Sequence, residues 1–254
     1  MHKPIDMKMK KSLFFIVISL ILLIIISLIL LLAPGTPYSF EKFRSVLEQS
    51  NLQAPTSKYN PHYGVKNGRF KDVSNEYFYS RDNRYMVFEM CGEKNRSELR
   101  STREWKVDAS KLHSIFAKVK LLPLNQEKEF TFLQIHANFN HASSDGKRIN
   151  KPLLRVVWID ERKSLYDHLW AVVRLSGEIS EKKYVKIDLG KRPDNFFTIN
   201  VEIKESQMKI YINNIVKVNM YVDFWKGYWN YFKAGVYNQG PGCDKVLFDE
   251  LKFD

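Results

Sequence analysis

Past residue 60 the chain alternates apolar and polar residues in short stretches bounded by Gly, Asn, Asp and Pro. A period of two is the signature of half-buried strands. The stretches are "YMVFEM" running into "NRSELRS", then "SIFAKVKLL", "EFTFLQIHANF", "PLLRVVWID", "LWAVVRLSG", "FFTINVEIKE", "MKIYINNIVKVNMYV", "WNYFKAGVYNQ" and "KVLFDELKF". Asn213-Asn214 stands between two alternating runs and predicts a tight hairpin turn. Many short strands with few helices predict an all-β fold, an antiparallel β-sandwich of jelly-roll type with an open groove. This domain is expected over 61–254.

The N-terminal part follows another pattern. A basic tail, 1–12, carries Lys3, Lys8, Lys10 and Lys11 against Asp6. An apolar run follows from Leu13 to Ala33, broken only by Ser19 and Ser27. As a helix it is about 31 Å long, enough to cross a bilayer core. It is longer than the apolar core of a signal peptide, and Leu31 and Pro34 make a poor cleavage site. The run 13–33 is read as a transmembrane anchor, with a cleaved signal as the alternative. Lysines before the span keep the N-terminus in the cytosol and the domain outside. Residues 34–60 read as a tether with a short helix near 39–49.

Charge narrows the choice of partner. Most of the net +12 belongs to the folded part, which suits a polyanion: nucleic acid, an anionic membrane or an acidic polysaccharide. Two cysteines, Cys91 and Cys243, are too few for a disulfide scaffold and leave either one bridge or two buried thiols. No spacing of His, Cys and carboxylates marks a metal site, and no cofactor is expected.

Period two also assigns faces. In "NRSELRS" the residues Arg96, Glu98 and Arg100 share one side. In "FTFLQIHANF" the residues Gln134 and His136 share a side with Phe132 and Asn138. In "YFKAGVYNQ" the side holds Tyr231, Lys233, Gly235, Tyr237 and Gln239, with Phe232, Ala234 and Val236 behind. A merely solvated face tends toward Thr, Lys, Glu and Ser. These faces carry residues that bind anions and move protons.

In this order, "RSELR", "QIH" and "YFKAGVYNQ" resemble the three signature segments of the alginate lyases of polysaccharide lyase family 7. Those segments run R-(S/T)-E-(L/V)-R, Q-(I/V)-H and Y-x-K-x-G-x-Y-x-Q, and all three are complete here. Looser similarity extends from Phe70 to the end. Ser101 departs from the Glu or Gln that usually follows the first segment. The resemblance implies a β-jelly roll whose groove cleaves 4-linked uronate polymers by β-elimination. It implies alginate as the partner, with no nucleic acid, and a monomer that meets the membrane only through its N-terminal segment.

Elimination removes the C5 proton beside the uronate carboxylate and expels O4. The carboxylate must be neutralised and the enolate-like charge stabilised. By motif position Arg96, Gln134 and His136 face the carboxylate, and Tyr237 protonates O4. His136 either donates to the carboxylate or, when neutral, accepts the C5 proton. For mannuronate the leaving group and C5 proton lie on the same side, so Tyr237 can serve as base and acid. For guluronate they lie on opposite sides, which suits His136 as base. Glu98 is read as a partner that fixes the arginines, and Arg100 as a contact to a neighbouring uronate. Tyr231, Lys233 and Gln239 are read as substrate-binding or supporting groups, and Gly235 as room for a sugar ring. Ile135 leans toward guluronate-containing substrate. If the Arg96 and Tyr237 strands pair antiparallel, Cys91 falls beside Cys243, and a disulfide tying the catalytic strands is expected.

Three other functions fit the residues less well. A sandwich glycoside hydrolase needs two acids, usually as E-x-D-x-x-E on one strand, and none occurs. A non-catalytic polysaccharide-binding module has no need of the Gln, His and Tyr set. Nucleic-acid binding rests on charge alone.

Overall fold

The computed structural model describes residues 14–24, 36–56, 64–124, 127–178 and 180–254. Alternation becomes two seven-stranded antiparallel sheets. The back sheet contains β2 (Phe78–Arg81), β3 (Tyr85–Cys91), β5 (His113–Leu124), β10 (Phe197–Lys204), β11 (Gln207–Ile212), β12 (Ile215–Tyr221) and β14 (Cys243–Phe253). Its order is β12-β11-β10-β5-β14-β3-β2. The front sheet contains β1 (Ser50–Thr56), β4 (Arg96–Ser101), β6 (Glu129–Ala137), β7 (Pro152–Arg162), β8 (Leu165–Arg174), β9 (Tyr184–Lys191) and β13 (Asn230–Asn238). Its order is β1-β4-β13-β6-β7-β8-β9.

The core lies between the inner faces. Phe132 of the front sheet meets Phe197 of the back sheet edge-on, and Phe232 of β13 meets Phe253 of β14. Each such buried ring stabilises the fold by about 1.5–3 kcal/mol. The hairpin at Asn213-Asn214 forms as expected. Both residues take positive φ, 48° and 64°, as a type I′ turn requires.

Residues 41–56, inside the segment read as a tether with a short helix, pack into the domain. The helix α1 (Glu41–Glu48) buries Phe43, Val46 and Leu47 along one stripe. Lys42 reaches Asp249 at 3.0 Å, and Arg84 and Lys118 converge on the same carboxylate. β1 then pairs with β4 at the sheet edge. Pro55 hides this strand in the sequence, and an edge is where a strand tolerates proline.

The expected transmembrane segment is only partly described. Residues 14–24 are helical with exposed apolar side chains. No helix among the described residues is long and apolar enough to cross a membrane. The basic tail 1–12 and the rest of the 13–33 run lie outside the described residues. The chain divides into two units, 1–34 and 35–254.

Cys91 and Cys243 form a disulfide. It lies one sheet behind the expected position. The cysteines are register partners on β3 and β14, back-sheet strands that lead into β4 and out of β13. The bridge therefore clamps the crossovers of the two motif strands and not the strands themselves.

Candidate active site

The three motif segments are neighbouring strands. β13 lies between β4 and β6, antiparallel to both. Register aligns Tyr237 with Arg96, Lys233 with Arg100 and Gln134, and Tyr231 with His136. One face of the front sheet thus collects side chains from positions more than a hundred residues apart.

Two bulges set which side chains face outward. Opposite β7, register slips between Thr131 and Leu133. The extra residue there turns Phe132 into the core with Leu133, and both are buried. The expectation that Phe132 shares the Gln134 face is therefore corrected: a bulge breaks the count of two. Opposite β6, β13 slips between Ala234 and Tyr237, around Gly235. A Cβ on Gly235 would lie 2.2 Å from the Ser97 carbonyl oxygen and 3.1 Å from Phe88, and its φ is +143°. The glycine thus admits the close crossing of β4, and the space it leaves is filled by protein and not by a sugar ring.

Beneath the face sits a buried polar knot. Glu98 is inaccessible to solvent, and Lys233 is 1% exposed. Glu98 accepts from Lys233 Nζ through Oε2 and from Gln134 Nε2 through Oε1. Arg96 Nη1 stands 3.8 Å from the same carboxylate. Glu98 thus anchors Gln134 and Lys233 more directly than the arginines. Burial, against the pull of Glu98 and helped by Arg96 and Arg100, draws the Lys233 ammonium down to about 8.

Above the knot lies a groove of about 570 Å³ lined by Arg96, Gln134, His136 and Tyr237, with Gln239 and Arg155 beside them. The Arg96 guanidinium lies over the Tyr237 ring at 4.2 Å. Its Nε is buried without a hydrogen-bond partner among the described residues. His136 Nδ1 is 2.8 Å from the Ala137 carbonyl. A carbonyl only accepts, so Nδ1 carries the proton and Nε2 keeps its lone pair. Burial first, and then Lys233, Arg96 and Arg100, push the imidazole down to about 3. At neutral pH the ring is therefore in its neutral form.

Arg100 and Tyr231 lie outside this lining. The Arg100 guanidinium stacks on the Tyr231 ring at 3.9 Å, and the Tyr231 hydroxyl is 3.2 Å from His136 Nδ1. Arg100 also reaches Glu104, which accepts from Asn138 Nδ2 at 2.5 Å and contacts His141 at 2.8 Å. Gln239 accepts from Arg155 Nη1 at 3.0 Å.

Sequence reading missed Glu104, Arg155, Lys151, Tyr184 and Lys186, the last four of which line the groove. Arg155 had a signal, a lone cation inside the apolar run "PLLRVVWID". Tyr184 and Lys186 sit on β9, whose alternation is weak. Among the described residues no three His, Cys, Asp or Glu side chains converge as a metal site.

A groove lined by cations across one face of an antiparallel sandwich fits the class of proteins that handle acidic polymers. The alginate lyase family profile matches residues 46–254. An alginate lyase of Photobacterium sp. (strain ATCC 43367) is 29% identical over 250 residues, covering 86% of this chain and 87% of the relative. The structure of alginate lyase AlyC3 superposes with a TM-score of 0.80 at 29% identity, covering 87% of this chain and 96% of AlyC3. AlyC3 is also known in complex with dimannuronate, with a TM-score of 0.78 and 27% identity, covering 87% of this chain and 95% of that one. Alginate lyase A1-II′ of polysaccharide lyase family 7 shares the fold, with a TM-score of 0.66 at 19% identity over 84% of this chain and 97% of its own. The chain belongs to the alginate lyase family, and its activity is that of a polysaccharide lyase acting on alginate.

Proposed function

We propose that the groove seats one uronate carboxylate against Arg96 and Gln134 while His136 and Tyr237 carry the proton transfers. The observation that supports this most directly is that these four side chains, from three strands, line one cavity. Arg96 lines the groove with its guanidinium held over the Tyr237 ring. Gln134 gives one amide proton to Glu98 and keeps the other for substrate. Both aim positive density at the charge that develops on the carboxylate.

With guluronate, His136 Nε2 accepts the C5 proton. The C5–H electron pair becomes the C4=C5 double bond, the C4–O4 bond breaks, and the Tyr237 hydroxyl protonates O4. The product carries an unsaturated uronate at its new non-reducing end. An incoming carboxylate offsets the cations that hold His136 neutral and so strengthens it as a base. With mannuronate, Tyr237 acts from one side as both base and acid. Glu98 and Lys233 position Gln134 from below, and Arg100, Tyr231 and Gln239 extend the binding face.

The sheet order fits a jelly roll. The apolar run 13–33 and the Cys91–Cys243 disulfide support export, the domain being anchored outside the cytoplasm or released after cleavage, as a monomer.

The test is absorbance of the unsaturated product from polymannuronate, polyguluronate and mixed blocks. Tyr237→Phe is expected to lose activity on all three by about 10²-fold or more, and His136→Asn to lose polyguluronate cleavage preferentially. Full activity in Tyr237→Phe would remove the proton-donor role.

A further inference from the structure

One corner of the interior holds oxygen-bearing side chains that the groove does not use. Asp244, beside Cys243 on β14, has no solvent exposure, and neither carboxyl oxygen has a hydrogen-bond partner among the described residues. Glu127, in the crossover from β5 to β6, is also buried. Its Oε1 accepts from the backbone N–H groups of Lys128, Glu129 and Gly240, each at 3.1 Å. Its Oε2 is buried and unpartnered. Asn238 closes β13 on the core-facing side. Its Nδ2 donates to the carbonyls of Met90 at 3.0 Å and Gly242 at 3.1 Å, and its Oδ1 is buried and unpartnered.

These contacts place the three groups together. Met90 is the register partner of Asp244, and Gly240 and Gly242 belong to the turn between Asn238 and Asp244. Four oxygens therefore lack donors in one corner: both of Asp244, Oε2 of Glu127 and Oδ1 of Asn238. Neither carboxylate takes part in a salt bridge among the described residues. A buried carboxylate without a partner is strongly disfavoured, and a neighbouring one compounds the cost.

We propose that Asp244, Glu127 and Asn238 bind a hard cation, Ca²⁺ by the chemistry of the donors. All the free donors are oxygens, two carboxylates and an amide, which suits Ca²⁺ and does not suit the softer transition metals. The ion pins the β5–β6 crossover to the turn between β13 and β14. Asn238 follows Tyr237 directly and Gln239 lines the groove, so the ion braces the wall of the active site from behind. It takes no part in the elimination. No sequence spacing announces the site, because its three ligands come from two strands and a loop.

The full chain is stripped with a chelator and titrated with CaCl₂ without polymer. Bound calcium is measured by elemental analysis and calorimetry, and stability by Tm. About one ion per chain is expected, with Tm rising by roughly 5–10 °C near 100 times Kd. Asp244→Asn is expected to abolish both uptake and shift, and Glu127→Gln to weaken them. In chelator, Asp244→Asn is expected to melt at or above the wild-type temperature, because the amide supplies donors to a corner of oxygens that otherwise lack them. If Asp244→Asn fails to fold, the loss of affinity in Glu127→Gln carries the test. No calcium uptake by the wild type, or a shift of equal size in the variants, would overturn the site.

Discussion

Lys233 reaches Glu98 across the pairing of β13 with β4, and neither side chain is open to solvent. Two opposite charges are thus held beneath the groove, and Gln134 completes the knot through the other Glu98 oxygen. Breaking one half of such a pair strands the other charge, which costs about 3–5 kcal/mol. Glu98→Ala is therefore expected to lower the denaturant midpoint sharply. The paired change Glu98→Gln with Lys233→Met is expected to recover much of that loss. A double-mutant cycle by chemical denaturation measures the coupling. An unchanged midpoint in Glu98→Ala would show that the knot does not hold the sheet.

Gly235 gives a second test. A methyl group there would meet the Ser97 carbonyl at 2.2 Å and the Glu98 Cα at 2.7 Å, both main-chain atoms that cannot swing away. Its φ of +143° adds strain for any L side chain. Gly235→Ala is expected to destabilise the domain by about 1–3 kcal/mol. It is also expected to reduce kcat, because β13 must shift Lys233 or Tyr237 to relieve the clash. Thermal melting and kinetics check this together. A variant with wild-type Tm and kcat would contradict the close crossing of β13 over β4.

Most of the fold was legible because period two survives where strands are regular. "FFTINVEIKE" and "MKIYINNIVKVNMYV" became β10, β11 and β12 with their turn in place. Legibility failed where the period breaks or where information is long-range. Phe132 went to the core because a bulge inserts one residue, and no local signal reveals a bulge. β1 was lost to Pro55, and β9 to its position at a sheet edge with little to bury. The groove residues on the three motif strands could be placed on their faces. Glu98 and Lys233 could not be assigned to a buried pair, because their burial depends on four strands meeting. Glu104 stayed invisible because two of its partners, Asn138 and His141, come from the distant loop after β6.

His136 links the groove to the pH dependence of stability. In the fold its imidazole is held near 3, against an ordinary value of about 6.5 in the unfolded chain. Between those values the unfolded chain takes up a proton that the fold refuses. Stability is therefore full above about pH 6.5 and falls as pH drops toward 3. His113, lowered by burial and Lys111, slopes the same way. Asp249, held low by Arg84, Lys118 and Lys42, acts only at more acid pH. The informative quantity is thus the difference between wild type and His136→Asn over pH 4.5–7, where those other contributions cancel. Urea midpoints are expected to fall less steeply with acid in the variant than in the wild type. Parallel curves would mean that His136 protonates freely in the folded enzyme, and its role as a neutral base at Nε2 would fall with that result.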